Sequence, residues 1–233
     1  MIVIQEVFGL VPHIEEVARR FAAEGYIALA PDMYCHDAGY KAITLEGISD
    51  AMPIRRAADT DAAIKALPAE RQAPVRQALD WLNKRDASTY VPDLQAGLAF
   101  LKARSDCTGA VGSIGFCMGG GLSGQLAASG ADLNAAVIYY GPIPEVDKVP
   151  NVKCPVQGHY GGDDPGITGT VPQLQAAMAA NGKDFTAYVY EGAPHAFNND
   201  TRPSYHPEAA NLAWSRTREF LEKHVKGAGV AAR

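Results

Sequence analysis

Gly115-Phe-Cys-Met-Gly119 is the stretch of this chain best suited to chemistry. It follows an apolar run, Ala110–Phe116, and precedes a small-residue helical stretch, Gly119–Ser129. A strand that turns sharply into a helix needs residues without side chains beside the turn, and Gly115 and Gly119 lie two positions either side of Cys117. The sulfur then stands exposed above a helix N-terminus. The positive end of the helix dipole and its backbone N–H groups lower a thiol's pKa and can hold an oxyanion. The spacing points to a nucleophile elbow, against the plainer alternative of a buried structural cysteine at a Gly-rich turn.

A thiol nucleophile needs a base, and the base needs an acid to orient it. Asp163 and Asp164 follow one apolar run in Tyr160-Gly-Gly-Asp-Asp-Pro165, and His195 follows the last one in Glu191-Gly-Ala-Pro-His-Ala-Phe197. Thiol, acid and histidine thus come from three strand ends in the chain order of α/β-hydrolase sites. The pattern alone leaves open which of the two adjacent aspartates is the acid. Of the other histidines, His159 is expected to pack at a strand end near the acid loop and His13 to cap or begin a helix. His36, His206 and His224 are expected to be exposed.

The elements that must position these residues alternate. Strands are expected at Ile2–Gln5, Tyr26–Ala30, Ala110–Phe116, Ala135–Tyr140, Val152–His159 and Phe185–Tyr190. Helices are expected at His13–Glu24, Val91–Arg104, Gly119–Ser129, Val171–Asn181 and Pro207–Val225. This alternation predicts an α/β fold with a mostly parallel sheet flanked by helices. Residues of about 42–87 show helical spacing and no strand, and are expected to form a helical excursion near the C-terminal edge of the sheet. The expected organisation is a single domain over 1–226, with 227–233 a flexible tail. The chain opens inside a strand, so N-terminal edge strands of such a fold are expected to be missing.

Composition narrows the function. The chain has 233 residues, 47% of them hydrophobic, enough for a full core. Its net charge is −5, with no basic run, so no nucleic-acid partner is expected. No apolar run spans a membrane and no secretory signal is evident; a cytoplasmic location is expected. Cys35, Cys107, Cys117 and Cys154 show no metal-ligand spacing, so neither a metal nor another cofactor is expected. Cys107 and Cys154 read as structural, and the Cys35-His36 pair as incidental.

Four motifs together, Gln5-Glu-Val-Phe-Gly9, Gly115-Phe-Cys-Met-Gly-Gly120, Gly162-Asp-Asp164 and His195-Ala-Phe197, resemble those of the dienelactone hydrolase (carboxymethylenebutenolidase) family, in the family's order. Glu24-Gly-Tyr-Ile-Ala-Leu-Ala-Pro-Asp-Met-Tyr34 fits as well, so the resemblance covers nearly the whole chain. It implies an α/β-hydrolase fold and hydrolysis of a small-molecule lactone or activated ester through a thioester. It implies Cys117 as nucleophile, His195 as base and then acid, and Asp164 as its orienter. The backbone N–H groups of Val7 and Met118 would form the oxyanion hole. Glu6 would share the resting thiol's hydrogen bond and gate it. Phe8, Phe197, Asn198 and Arg202 would meet substrate.

One feature departs from the family. Members acting on the anionic dienelactone carry an Arg a few positions after the catalytic His, where this chain has Asn198 and Asn199, with Arg202 further on. A second Arg comes from the helical excursion, where Arg55, Arg56, Arg71 and Arg76 are available. A broad esterase or thioesterase, also acting on phosphotriesters, and a non-catalytic binding protein with this fold are the alternative readings.

Overall fold

The computed structural model describes residues 1–228. In chain order its elements are β1 (Ile2–Ile4), α1 (Pro12–Ala23), α2 (Ala38–Lys41), α3 (Leu45–Ile54), α4 (Thr60–Lys65), α5 (Ala69–Lys84), α6 (Val91–Ala103), β2 (Gly112–Phe116), α7 (Met118–Ala128), β3 (Ala135–Tyr139), β4 (Val156–Gly161), α8 (Pro165–Thr168), α9 (Val171–Ala180), β5 (Phe185–Tyr190) and α10 (Pro207–Leu221). The chain divides into two compact units, Met1–Asp32 with the residues from Ser88 onward, and Met33–Ala87.

The first unit holds the sheet. Its five strands are all parallel, in the order β1-β2-β3-β4-β5. Strands β1 to β4 are buried throughout, as near-continuous apolar runs in a parallel sheet must be. Alternate residues divide between two helical layers. Val3, Ile114, Phe116, Val137 and Tyr139 join a core with Ile14, Val17 and Phe21 of α1 and with Ala210, Ala213 and Leu221 of α10. The i, i+3, i+7 spacing of Ile14, Val17 and Phe21 puts all three on one face of α1, and Pro12 suits its first turn. On the opposite sheet face, Ser113 meets Ser123 of α7 at 2.8 Å.

Helix α7 is buried along nearly its whole length, which its glycines permit. A Cβ on Gly119 would lie 2.5 Å from the Gln5 carbonyl oxygen, and one on Gly120 would lie 2.6 Å from that of Tyr139. The helix therefore rests almost backbone to backbone on β1 and β3.

Three expected boundaries shift for identifiable reasons. Tyr26–Ala30 is not a strand. Only Leu29 bridges to Ile2, through Val3 N–H to Leu29 O (2.8 Å) and Leu29 N–H to Met1 O (2.8 Å). The strand expected from Val152 begins at Val156, because Pro155 has no N–H to give the ladder. Residues 222–226 continue α10 as a π-helical turn, and Gly227 and Ala228 remain helical. Positions 229–233 of the expected tail lie outside the described residues.

The second unit is helical, as the spacing over 42–87 predicts. Asp37, Thr44 and Asp59 cap α2, α3 and α4 by accepting from the N–H groups of Tyr40, Gly47 and Ala62. Tyr34, Tyr40 and Trp81 cluster with ring centroids 4.3 to 5.5 Å apart, and the Trp81 indole N–H donates to Asp37 (2.8 Å). Among the described residues, no helix is long and apolar enough to cross a membrane.

Candidate active site

Cys117 joins β2 to α7 and has φ 55° and ψ −116°. A positive φ is costly for a residue with a Cβ, and such strain clusters at functional sites. The turn is fixed from both sides. Cys117 N–H donates to Tyr139 O (3.0 Å), and Gly121 N–H returns to Cys117 O (3.2 Å). Gly115 is obligatory, since a Cβ there would overlap the carbonyl group of Gly119. The thiol is partly exposed, whereas Cys154 is buried and its thiol is pushed up to about 12 by that burial.

The acid and the histidine sit on neighbouring loops that are tied together. Gly162 N–H donates to Tyr190 O (2.7 Å), and Asp163 N–H donates to Ala193 O (3.0 Å). Gly161 allows this approach, because a Cβ there would crowd the carbonyls of Ala193 and Pro194. Asp164, buried, meets His195 Nδ1 through its Oδ2 at 2.5 Å, while Asp163 is exposed. Cys117 is among the groups that act on the His195 ring. With Nδ1 taken by Asp164, its Nε2 is the nitrogen left for sulfur. Burial alone would lower the His195 pKa. The hydrogen bond and charge of Asp164, with Cys117 acting the same way, outweigh it and raise the value to about 10.

His159 behaves oppositely. It is fully buried in β4, with Nδ1 on Tyr190 Oη (2.8 Å) and Nε2 on Gln157 Oε1 (2.9 Å) and Thr217 Oγ1 (3.0 Å). Burial, helped by Arg216, depresses its pKa to about 3. The two histidines predict a stability profile. The His195 contribution is complete below its ordinary value of 6.5 and is lost as pH rises towards about 10. His159 stays neutral in the fold while the unfolded chain protonates it below 6.5, so stability is lost as pH falls towards about 3. Between them they place a stability maximum near pH 6.5. Urea midpoints across the acid and alkaline limbs check this, and a midpoint that rises steadily above 6.5 would contradict it.

Glu6 follows β1 at a tight turn, where Gly9, with φ 87°, returns its N–H to Glu6 O (3.2 Å). That turn carries Val7, and Met118 is the first residue of α7, so the two backbones expected to form an oxyanion hole come from the turn after β1 and the turn after β2. Glu6 is only 1% exposed, and burial raises its pKa against the opposing pull of Asn199, Arg202, His195 and Tyr140. Its hydrogen bonds come from Asn199 Nδ2 (2.8 Å) and, at the long limit, Tyr140 Oη (3.5 Å).

The other expected substrate contacts divide. Phe8 is partly exposed and stacks under the Arg202 guanidinium at 3.8 Å. Phe197 is fully buried against Tyr139, Tyr140 and Tyr190, so it belongs to the core beneath the His195 loop and offers no surface to a substrate. Asn198 is 6% exposed. In the second unit, Arg55 donates to Asn83 (3.1 Å), Arg71 pairs with Asp50, and Arg76 pairs with Asp61 (2.8 Å). Among the described residues, no group of three or more His, Cys, Asp or Glu side chains could hold a metal ion.

Two neighbours of the site were not singled out from sequence. Tyr140 has φ 37°, is fully buried, and meets the His195 ring edge-on at 5.2 Å. Asn199 lies four residues beyond His195 and donates to the Glu6 carboxylate.

A parallel sheet with helices on both faces, a strained cysteine at a strand-to-helix turn, and an Asp–His pair on later strand ends define an α/β-hydrolase. The dienelactone hydrolase family model matches residues 1–225, and the chain belongs to that family. A Saccharolobus solfataricus protein named "Putative carboxymethylenebutenolidase" is 33% identical over 242 residues, covering 97% of this chain and 90% of its own. The carboxymethylenebutenolidase of Pseudomonas sp. (strain P51) is 29% identical over 226 residues, covering 96% and 84%. A Klebsiella pneumoniae crystal structure titled "Putative Dienelactone Hydrolase" superposes with a TM-score of 0.71 at 30% identity, covering 93% of this chain and 83% of that one. The chain is a dienelactone hydrolase-like hydrolase.

Proposed function

We propose that this hydrolase opens lactones or cleaves activated enol and aryl esters through a thioester on Cys117. The observation that carries the reading is the Asp164–His195 hydrogen bond on two later strand ends, together with a partly exposed thiol held on a positive-φ strand-to-helix turn. The Cys117 thiolate attacks the carbonyl carbon. The carbonyl oxygen takes up the negative charge against the N–H groups of Val7 and Met118. Collapse expels the leaving oxygen, which takes up the proton that His195 drew from the thiol and leaves the imidazole neutral. Water, deprotonated by His195, then cleaves the thioester, and the proton returns to sulfur. A thiolate is itself a good leaving group, so the tetrahedral adduct reverts unless the departing oxygen is also stabilised. That favours activated esters over alkyl esters and amides.

The family name and that of the Pseudomonas relative suggest the dienelactone as substrate. The resemblance implies an Arg a few positions after His195 for an anionic substrate, and this chain has Asn198 and Asn199 there, with Asn199 already committed to Glu6 and Thr201, which favours a second reading as a broader esterase of less anionic activated esters. Turnover of cis-dienelactone beside p-nitrophenyl acetate separates the two. Acid quench during turnover, followed by mass spectrometry, should find the acyl group on the Cys117 peptide. Acylation of any other residue would sink the mechanism, and absence of all turnover would leave a binding protein.

A further inference from the structure

We propose that the open edge of β5 is an interface for a second copy of this chain, with the two β5 strands paired antiparallel about a two-fold axis at Ala187. The inference goes beyond the proposed chemistry and does not depend on it.

β5 is the last strand of the sheet and pairs with β4 alone. Its six residues, Phe-Thr-Ala-Tyr-Val-Tyr, include neither a charge nor a Pro, the devices by which edge strands usually refuse partners. Asp184 O accepts from Val156 N–H (3.0 Å), and Tyr190 O accepts from Gly162 N–H (2.7 Å), so the even-numbered residues bond inward. Phe185, Ala187 and Val189 therefore turn their N–H and C=O groups outward. The side chain of Val189 is open too, at 54% exposure, and Thr186 is exposed on the other face.

A free row of donors and acceptors would suit many strands. What selects a second copy is that this row matches itself. Antiparallel residues exchange both bonds only where each faces outward, so odd-numbered residues must meet odd-numbered ones. With Ala187 opposite its own copy, Phe185 meets Val189 on one face and Thr186 meets Tyr188 on the other. Both are pairings of an aromatic with a β-branched side chain, which stabilise a sheet. The same register brings Lys183 of each copy to the exposed Glu191 of the other, so the two-fold axis makes the charge match at both ends. The Lys183 ammonium donates once to Val152 O (2.7 Å) and keeps its other donors. Moving the register by two residues sets Lys183 against Val189 in one direction and Phe185 against Glu191 in the other, and both charge pairs are lost. A strand contact about 20 Å long lies at the small end of specific interfaces, so monomer and dimer should exchange at about micromolar concentration.

Sedimentation velocity of the whole chain from about 1 to 100 μM, the span over which so small an interface should associate, tests the proposal. The wild type should pass from monomer to dimer with no larger species. Val189→Lys, which sets a charge against Phe185, and Ala187→Pro, which removes an outward N–H, should each weaken association by about tenfold or more. Glu191→Lys should weaken it by about threefold or more, because like charges then meet at both ends, and Lys183→Glu with Glu191→Lys should restore it. Circular dichroism confirms that each variant is folded. If Ala187→Pro is not, Val189→Lys decides, since its side chain is mostly in solvent. A wild type that stays monomeric over the whole range overturns the proposal, as does a dimer that the folded edge variants leave intact. Failure of the charge reversal to restore the dimer overturns the register. Open-ended larger species overturn the two-fold axis, because an isologous contact closes at two copies.

Discussion

Cys117→Ala is expected to lower kcat for p-nitrophenyl acetate by about 10⁴-fold or more, with KM within a few-fold of the wild type. On the proposed mechanism, the substitution removes the one atom that forms the acyl bond. Its methyl group fits the space the thiol leaves, and the positive-φ turn is no worse for Ala than for Cys. His195 and Asp164 keep their 2.5 Å hydrogen bond and can still deprotonate a water. Residual turnover should therefore exceed the uncatalysed rate, as it does where other parts of a triad site survive. Circular dichroism and the melting temperature should match the wild type, which separates loss of chemistry from loss of fold. A variant retaining more than about a tenth of wild-type kcat would mean that the thiol is not the nucleophile, because no other effect of this change approaches the expected size.

Gly115→Ala is expected to destabilise the fold by about 3 kcal/mol or more, lowering the melting temperature by about 6 to 12 °C. The added methyl would overlap the Gly119 carbonyl and lie 2.8 Å from Gly120 N. Every one of these atoms is backbone, so no side chain can rotate away. Relief requires α7 to move off β2, and α7 is packed just as closely on β1 and β3. Gly166→Ala is the control, because a Cβ there meets nothing within 4 Å. It should leave the melting temperature nearly unchanged. Equal melting temperatures for the two variants would mean that the strand-to-helix contact is looser than described.

The elbow was legible because its two requirements, an apolar strand and glycines at fixed offsets, are local. The parallel sheet was legible from continuous apolar runs, and the helical second unit from its spacing and Asp and Thr caps. What could not be read depended on partners distant in sequence. Tyr26–Ala30 has the composition of a strand, yet β1 is three residues long and offers a partner only to Leu29. His206 looked like an exposed residue but is half-buried and N-caps α10, accepting from Ala209 N–H. His13, expected at a helix start, is there but 2% exposed, with its ring edge-on to Phe116 at 5.9 Å. The choice between Asp163 and Asp164 is made by the bonds from Gly162 and Asp163 to the β5 side, which turn one carboxylate inward and the other to solvent. Phe197 follows a histidine in a site motif, so it looked like a substrate contact, but Tyr139, Tyr140 and Tyr190 enclose it. Asn199 carries no catalytic chemistry of its own, and nothing in its type suggests a role until Glu6 is seen beside it.

The ties between the loops after β4 and β5 also constrain how this site can be rebuilt. Residues 162–164 and 190–195 are cross-linked through main-chain atoms, so their register depends on loop length and backbone path and hardly on side-chain identity. Point substitutions along them can be absorbed, whereas an insertion or deletion in one alone would shift its half of the Asp164–His195 pair out of reach. For recombination with relatives, the two loops form a single cassette: a crossover between residues 164 and 190 breeds mismatched halves unless both parents share the same loop lengths.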